Sequence, residues 1–133
     1  MKYLPNPLLF LIIFILPLAC FSQELKTDNV DYSAYVVSEY SASSVKGDVS
    51  DAHFAFRSDT IKTNLSGQKR VFYLTSSWKE TILDTGNTVK IAEAKDSGGF
   101  RLAITLGFDE PSERYFIILA YKNVTLFYEV RKE

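Results

Sequence analysis

After Asn29 the apolar side chains recur with a period of two, the spacing that sends successive residues to opposite faces of a β-strand. Val30, Tyr32, Ala34, Val36 and Tyr40 share one face of the first such stretch. Phe54 and Phe56 alternate with His53, Ala55 and Arg57 in the next, and the small, polar run from Ser41 to Ser50 reads as the connection between them. After a Ser58-Asp59 turn, Ile61, Thr63 and Leu65 alternate again. Ser66-Gly67-Gln68 then leads to a stretch where Phe72 and Leu74 oppose Val71 and Tyr73. Trp78, Glu80 and Ile82 read equally as an extension of that strand or as the start of another.

The C-terminal half shows the pattern most clearly. Asp84-Thr85-Gly86-Asn87 is a turn, because Gly and Asn tolerate positive φ, and Val89 and Ile91 follow it in a strand that ends at the Asp96-Ser97-Gly98-Gly99 turn. Phe100, Leu102, Ile104 and Leu106 form one face of the next strand. Tyr115, Ile117, Leu119 and Tyr121 form the face of its successor, and Val124, Leu126, Tyr128 and Val130 the last, with Lys122-Asn123 as a tight hairpin turn. Pro111 falls in the longest loop of this half, where it removes no ladder hydrogen bond. No window keeps the i, i+3, i+4, i+7 spacing of a helix.

The expected fold is therefore all-β, an antiparallel up-and-down meander of about eight strands that forms a small barrel or an open barrel or sandwich. Eight closed strands enclose room for side chains or for one small ligand. In architecture alone this resembles a small lipocalin-type barrel; the glycine-aromatic-tryptophan start of that family does not occur in the sequence.

The first 22 residues follow another rule. Lys2 precedes the nine-residue apolar run Leu8–Leu16, and small residues close the segment, which is the layout of a secretory signal peptide. Cleavage after Ser22 leaves Gln23 at the start of a single secreted β-domain, 23–133. Alternatively, Leu16-Pro17-Leu18-Ala19-Cys20 resembles a bacterial lipobox in which Cys20 is lipidated, and only in that case does the reading include a membrane. The chain beyond Ser22 has no cysteine, so a small exported domain without disulfides points to a bacterial envelope, periplasmic or extracellular.

Charge and chemistry narrow the functional classes. The 15 basic and 16 acidic side chains give a net charge of −1, without the basic footprint of a nucleic-acid binder. A single His gives no basis for a metal site or cofactor, although Asp51, two residues before His53, lies where it could orient that imidazole as a base. Nothing like Gly-x-Ser-x-Gly accompanies it. Asp109, Glu110 and Glu113 read as a solvated loop, and Lys69-Arg70 and Arg131-Lys132 as edge charges.

The aromatic residues are more informative. Tyr115, Tyr121, Tyr128 and Trp78 are the candidates to line a ligand cavity, each offering an apolar body and one polar atom. Phe116, Ile118 and Phe127 fall on the opposite face of the last hairpin and are the candidates for protein contact. The first functional reading is an exported, non-catalytic β-domain with a structural or protein-binding role. The alternative is a periplasmic barrel that binds an apolar small molecule, and the last is an enzyme built on His53.

Overall fold

Among the described residues, turns separate ten antiparallel strands, and Gly67, Gly86 and Gly99 take the positive φ that three of those turns require. The computed structural model describes residues 24–41, 45–48, 51–65 and 67–133, with backbone alone between 35 and 48. The segment 1–22, read from sequence as a signal peptide, and Cys20 within it lie outside the described residues.

The strands are β1 (Val30–Ser41), β2 (Val45–Asp48), β3 (Ala52–Phe56), β4 (Thr60–Leu65), β5 (Gln68–Leu74), β6 (Lys79–Ile82), β7 (Thr88–Asp96), β8 (Arg101–Asp109), β9 (Arg114–Ala120) and β10 (Val124–Lys132). Their pairing follows the order β10-β9-β8-β7-β5-β4-β3-β1, and β10 pairs again with β1, so eight strands close a barrel and leave no free edge among them. The closing seam is long, running from Tyr32↔Lys132 to Ser41↔Val124. The seam between β5 and β7 is short, from Phe72↔Asp96 to Leu74↔Ala94.

Two short strands extend this frame. β2 pairs with the second half of β1, so part of the run read from sequence as a plain connection, Ser41 to Ser50, is a strand. β6 begins at Lys79 and pairs with the first half of β7, which makes it a new strand and not a continuation of β5. The register of β1 against β10 slips by one between Ala34 and Val36. That bulge interrupts the single alternating face read along β1, where the side chains of Val36 and Tyr40 lie outside the described residues.

Along β3, β4 and most of β8 and β10 the alternation holds, whereas on β7 the buried positions shift from Val89 to Ala92 and Ala94. Tyr32, Phe54, Phe56, Ile61, Phe72, Ile104, Leu106, Ile117, Leu119 and Val130 are almost wholly buried and fill the barrel at mid-height. Thr63 is the one buried polar residue among those described, and its hydroxyl donates to the Arg70 carbonyl at 3.2 Å. A smaller apolar cluster lies outside the barrel wall, where Val89 and Phe116 are buried and the Phe116 ring stacks on Phe127 at 5.6 Å.

The two ends of the barrel differ. At the end where β1 begins, the lead-in 24–29 turns inward: Leu25 joins the core and the Tyr32 hydroxyl donates to the Lys26 carbonyl at 2.9 Å. Trp78 stacks on Phe56 at 5.9 Å, and Tyr115 packs between Tyr32 and Phe108. This end is capped by the chain itself. The opposite end carries the turns after β4, β7 and β9.

Candidate functional site

At that second end a recess of about 650 Å³ opens among Arg70, Asp96, Phe100, Tyr121, Val124 and Leu126, with Arg101, Lys122 and Asn123 at its rim. Volumes of roughly 300–1,000 Å³ are usual for small-molecule sites. Strand parity places its wall: Arg70 lies on the same face of β5 as Phe72 and Leu74, and Tyr121 continues the inward face of Tyr115, Ile117 and Leu119.

Asp96 sets the local geometry. Its Oδ1 accepts the backbone N–H groups of Gly98 and Phe100, each at 2.9 Å, and its Oδ2 accepts the Tyr121 hydroxyl at 3.4 Å. The carboxylate thus builds the turn. That turn lifts Phe100 away from the inward face expected from sequence, and the ring stands 68% exposed at the mouth. Burial, followed by the Asp96 charge, raises the Tyr121 phenol above its ordinary value, while Arg70 opposes the shift. Tyr121 therefore stays a neutral donor. Among the described residues no carboxylate forms an ion pair with Arg70, Arg101 or Lys122. Arg70, Arg101 and Lys122 stand among the residues that line the recess, and its one acidic lining residue, Asp96, is held by two backbone N–H groups and by Tyr121.

Of the four cavity candidates, only Tyr121 lines this recess. Tyr128 meets Phe54 edge-to-face at 5.0 Å within the core. Tyr115 and Trp78 belong to the cap at the other end, where the Trp78 Nε1 is enclosed without a hydrogen-bond partner among the described residues. Arg70 and Asp96, read from sequence as an edge charge and a turn residue, are the recess-lining residues that this reading does not single out. Parity with Phe72 was the available signal for Arg70.

Phe116, Ile118 and Phe127 do come together on the outer face of β9 and β10. They line a groove of about 410 Å³ beneath Leu83, Thr85 and Asn87, with the Arg114–Glu129 ion pair at 3.0 Å beside it. Phe116 itself is covered by its own chain and only 8% exposed.

His53 lies on the outer face at the capped end. Its Nε2 meets Glu133 Oε2 at 2.8 Å and Asp31 Oδ2 at 3.6 Å, so its carboxylate partners come from the far end of the chain and from β1 in place of Asp51. The nearby Ser33 hydroxyl donates to Glu133 at 2.5 Å and not to the imidazole, an arrangement that does not activate it as a nucleophile. Asp109 is likewise engaged locally, accepting from Ser112 and Asn87, and the first of these contacts holds its carboxyl below the ordinary range.

Burial also raises the phenols of Tyr32 and Tyr115, with the Glu24 charge adding to both. For a group whose folded pKa lies above its unfolded one, the contribution to stability is complete below the unfolded value and fades as pH climbs through the folded value. Stability is therefore expected to decline above pH 10.0, the ordinary phenol value, with part of the tyrosinate absorbance appearing only as the barrel unfolds. Tyr32→Phe should make the alkaline decline shallower. A Tyr32→Phe variant as alkali-sensitive as the natural protein would contradict this assignment. No family model, curated protein or solved structure matches the chain.

Proposed function

We propose that this protein is an exported, non-catalytic binding barrel of the bacterial envelope that takes an amphipathic anion at the end opposite the Trp78 cap. The observation that carries this reading is the recess itself, with Arg70, Arg101 and Lys122 around Phe100, Tyr121, Val124 and Leu126. A ligand tail would lie on the rings and aliphatic floor, while its carboxylate or sulfonate head would meet Arg70. Because rings and aliphatic side chains fill the mid-height of the barrel, the ligand would sit in the mouth and not deep inside. Protein contact through Phe116, Ile118 and Phe127 ranks second, since the fold already covers Phe116 with its own residues.

The test is a fluorescence titration with a medium-chain fatty acid displacing an anionic dye, monitored with and without salt. Arg70→Gln should weaken binding about tenfold, which corresponds to about 1.4 kcal/mol for one charge-assisted contact. The corresponding fatty alcohol should bind with similar weakness to both proteins. Equal affinity for a cationic amphiphile, or no effect of Arg70→Gln, would end the proposal.

A further inference from the structure

The capped end carries a second constellation, remote from the recess. The backbone N–H of Glu133 donates to the Asp31 carbonyl at 2.9 Å, extending the register of β10 against β1 by one more pair. That pairing sets two carboxylates opposite one another on the outer face, with Arg57 on Asp31 and the Arg131 charge near Glu133 already offsetting part of their repulsion. His53 reaches the same spot from β3, where it pairs with Ser33.

Each carboxylate has one oxygen anchored and the other turned to the imidazole. Ser33 Oγ donates to Glu133 Oε1, leaving Oε2 at 2.8 Å from His53 Nε2. Arg57 Nη1 donates to Asp31 Oδ1 at 3.1 Å, leaving Oδ2 at 3.6 Å from the same nitrogen. Outer partners of this kind fix the orientation of metal ligands in known sites. The three potential ligand atoms all lie within 4.8 Å of one another. An ion with bonds of roughly 2.0–2.2 Å needs its ligand atoms about 3.0–3.5 Å apart, which small side-chain rotations here supply.

We propose that Asp31, His53 and Glu133 bind a divalent transition-metal ion, Zn²⁺ foremost, with water completing its coordination. One imidazole nitrogen with two carboxylate oxygens suits zinc and its neighbours better than Mg²⁺ or Ca²⁺, which take oxygen ligands alone. The side chains are 36–45% exposed, so solvent has access to the remaining positions. Arg57 offsets part of the negative charge and makes the site one of modest affinity. The ion would tie the end of β10 to β1 and β3 and so lock the strand pair that closes the barrel.

His53 is the only histidine in the chain, so one imidazole spectrum reports the site without ambiguity. The natural protein, purified without an affinity tag and stripped with a chelator, is titrated with ZnCl₂. Imidazole ¹⁵N shifts should change to a metal-bound Nε2 with a proton held on Nδ1, saturating at one ion per imidazole. Melting temperature should rise by about 5–10 °C when Zn²⁺ exceeds Kd a hundredfold. MgCl₂ should do neither, and His53→Gln and Glu133→Gln should melt normally without metal and lose the Zn²⁺ response. Imidazole shifts that ignore Zn²⁺ would overturn the proposal. So would a melting rise that survives His53→Gln, because it would place the ion elsewhere.

Discussion

Phe56→Ala is expected to destabilise the barrel by about 3–5 kcal/mol, the range for deleting a fully enclosed ring. Phe56 is wholly buried and joins two layers: the Tyr32 ring meets it edge-on at 5.3 Å, and Trp78 stacks on it at 5.9 Å. The β-ladder on both sides of β3 fixes the backbone, so the space left behind cannot collapse easily. The cost therefore combines lost transfer energy with a cavity. Trp78 is the only tryptophan, so its fluorescence reports the local event directly. Urea unfolding should show the lower midpoint, and the folded Phe56→Ala protein should already emit further to the red, as the indole loses its stacked face. Tyr73→Ala, on β5 and 51% exposed, should stay within about 0.5 kcal/mol of the natural protein. A Phe56→Ala variant that matches this control would mean that the cap does not rest on Phe56.

Phe56 is legible in the sequence because one face of its strand must be buried, and burial of one face writes a period of two into the chain. The same logic exposes β4, β8, β9 and β10. β2 was hidden because backbone pairing with Val37–Tyr40 makes it a strand, and Val45-Lys46-Gly47-Asp48 carries no alternation to betray it. The slip between Ala34 and Val36 was equally silent, since no glycine marks it.

The sites divide in a similar way. Tyr121 was legible as an inward ring, whereas the role of Asp96 depends on two N–H groups that converge only once its turn forms. For His53, sequence proximity pointed to Asp51. The actual partners, Asp31 and Glu133, are brought together by barrel closure between β1 and β10. Pairing between the two ends of a chain has no local signature. The parity of Arg70, by contrast, was present in the sequence, and its charge obscured its direction.

Gly107→Ala is expected to cost about 1.5–3 kcal/mol in the natural protein and to be neutral or slightly stabilising once Phe116 is alanine. The Phe116 ring lies against Gly107, and a Cβ placed there would overlap its Cζ, Cε1 and Cε2 atoms. Gly107 lies within β8 without a positive φ, so its backbone accepts alanine, and the nearest atoms in the way are those of the Phe116 ring. The ring would have to swing outward, giving up its stack on Phe127 and exposing apolar area that is now buried. Without that ring, alanine is the better strand residue, by roughly 0.5–1 kcal/mol of chain entropy. The sign of the effect should therefore reverse between the two backgrounds, and denaturant midpoints for the four proteins of the cycle measure this coupling. An equal penalty in both backgrounds would place the constraint in the sheet and not in the ring. The eviction also bears on the outer groove: with Phe116 displaced beside Ile118 and Phe127, the Gly107→Ala protein should self-associate more than the natural one. On this account the missing side chain at Gly107 keeps that apolar face folded against its own barrel.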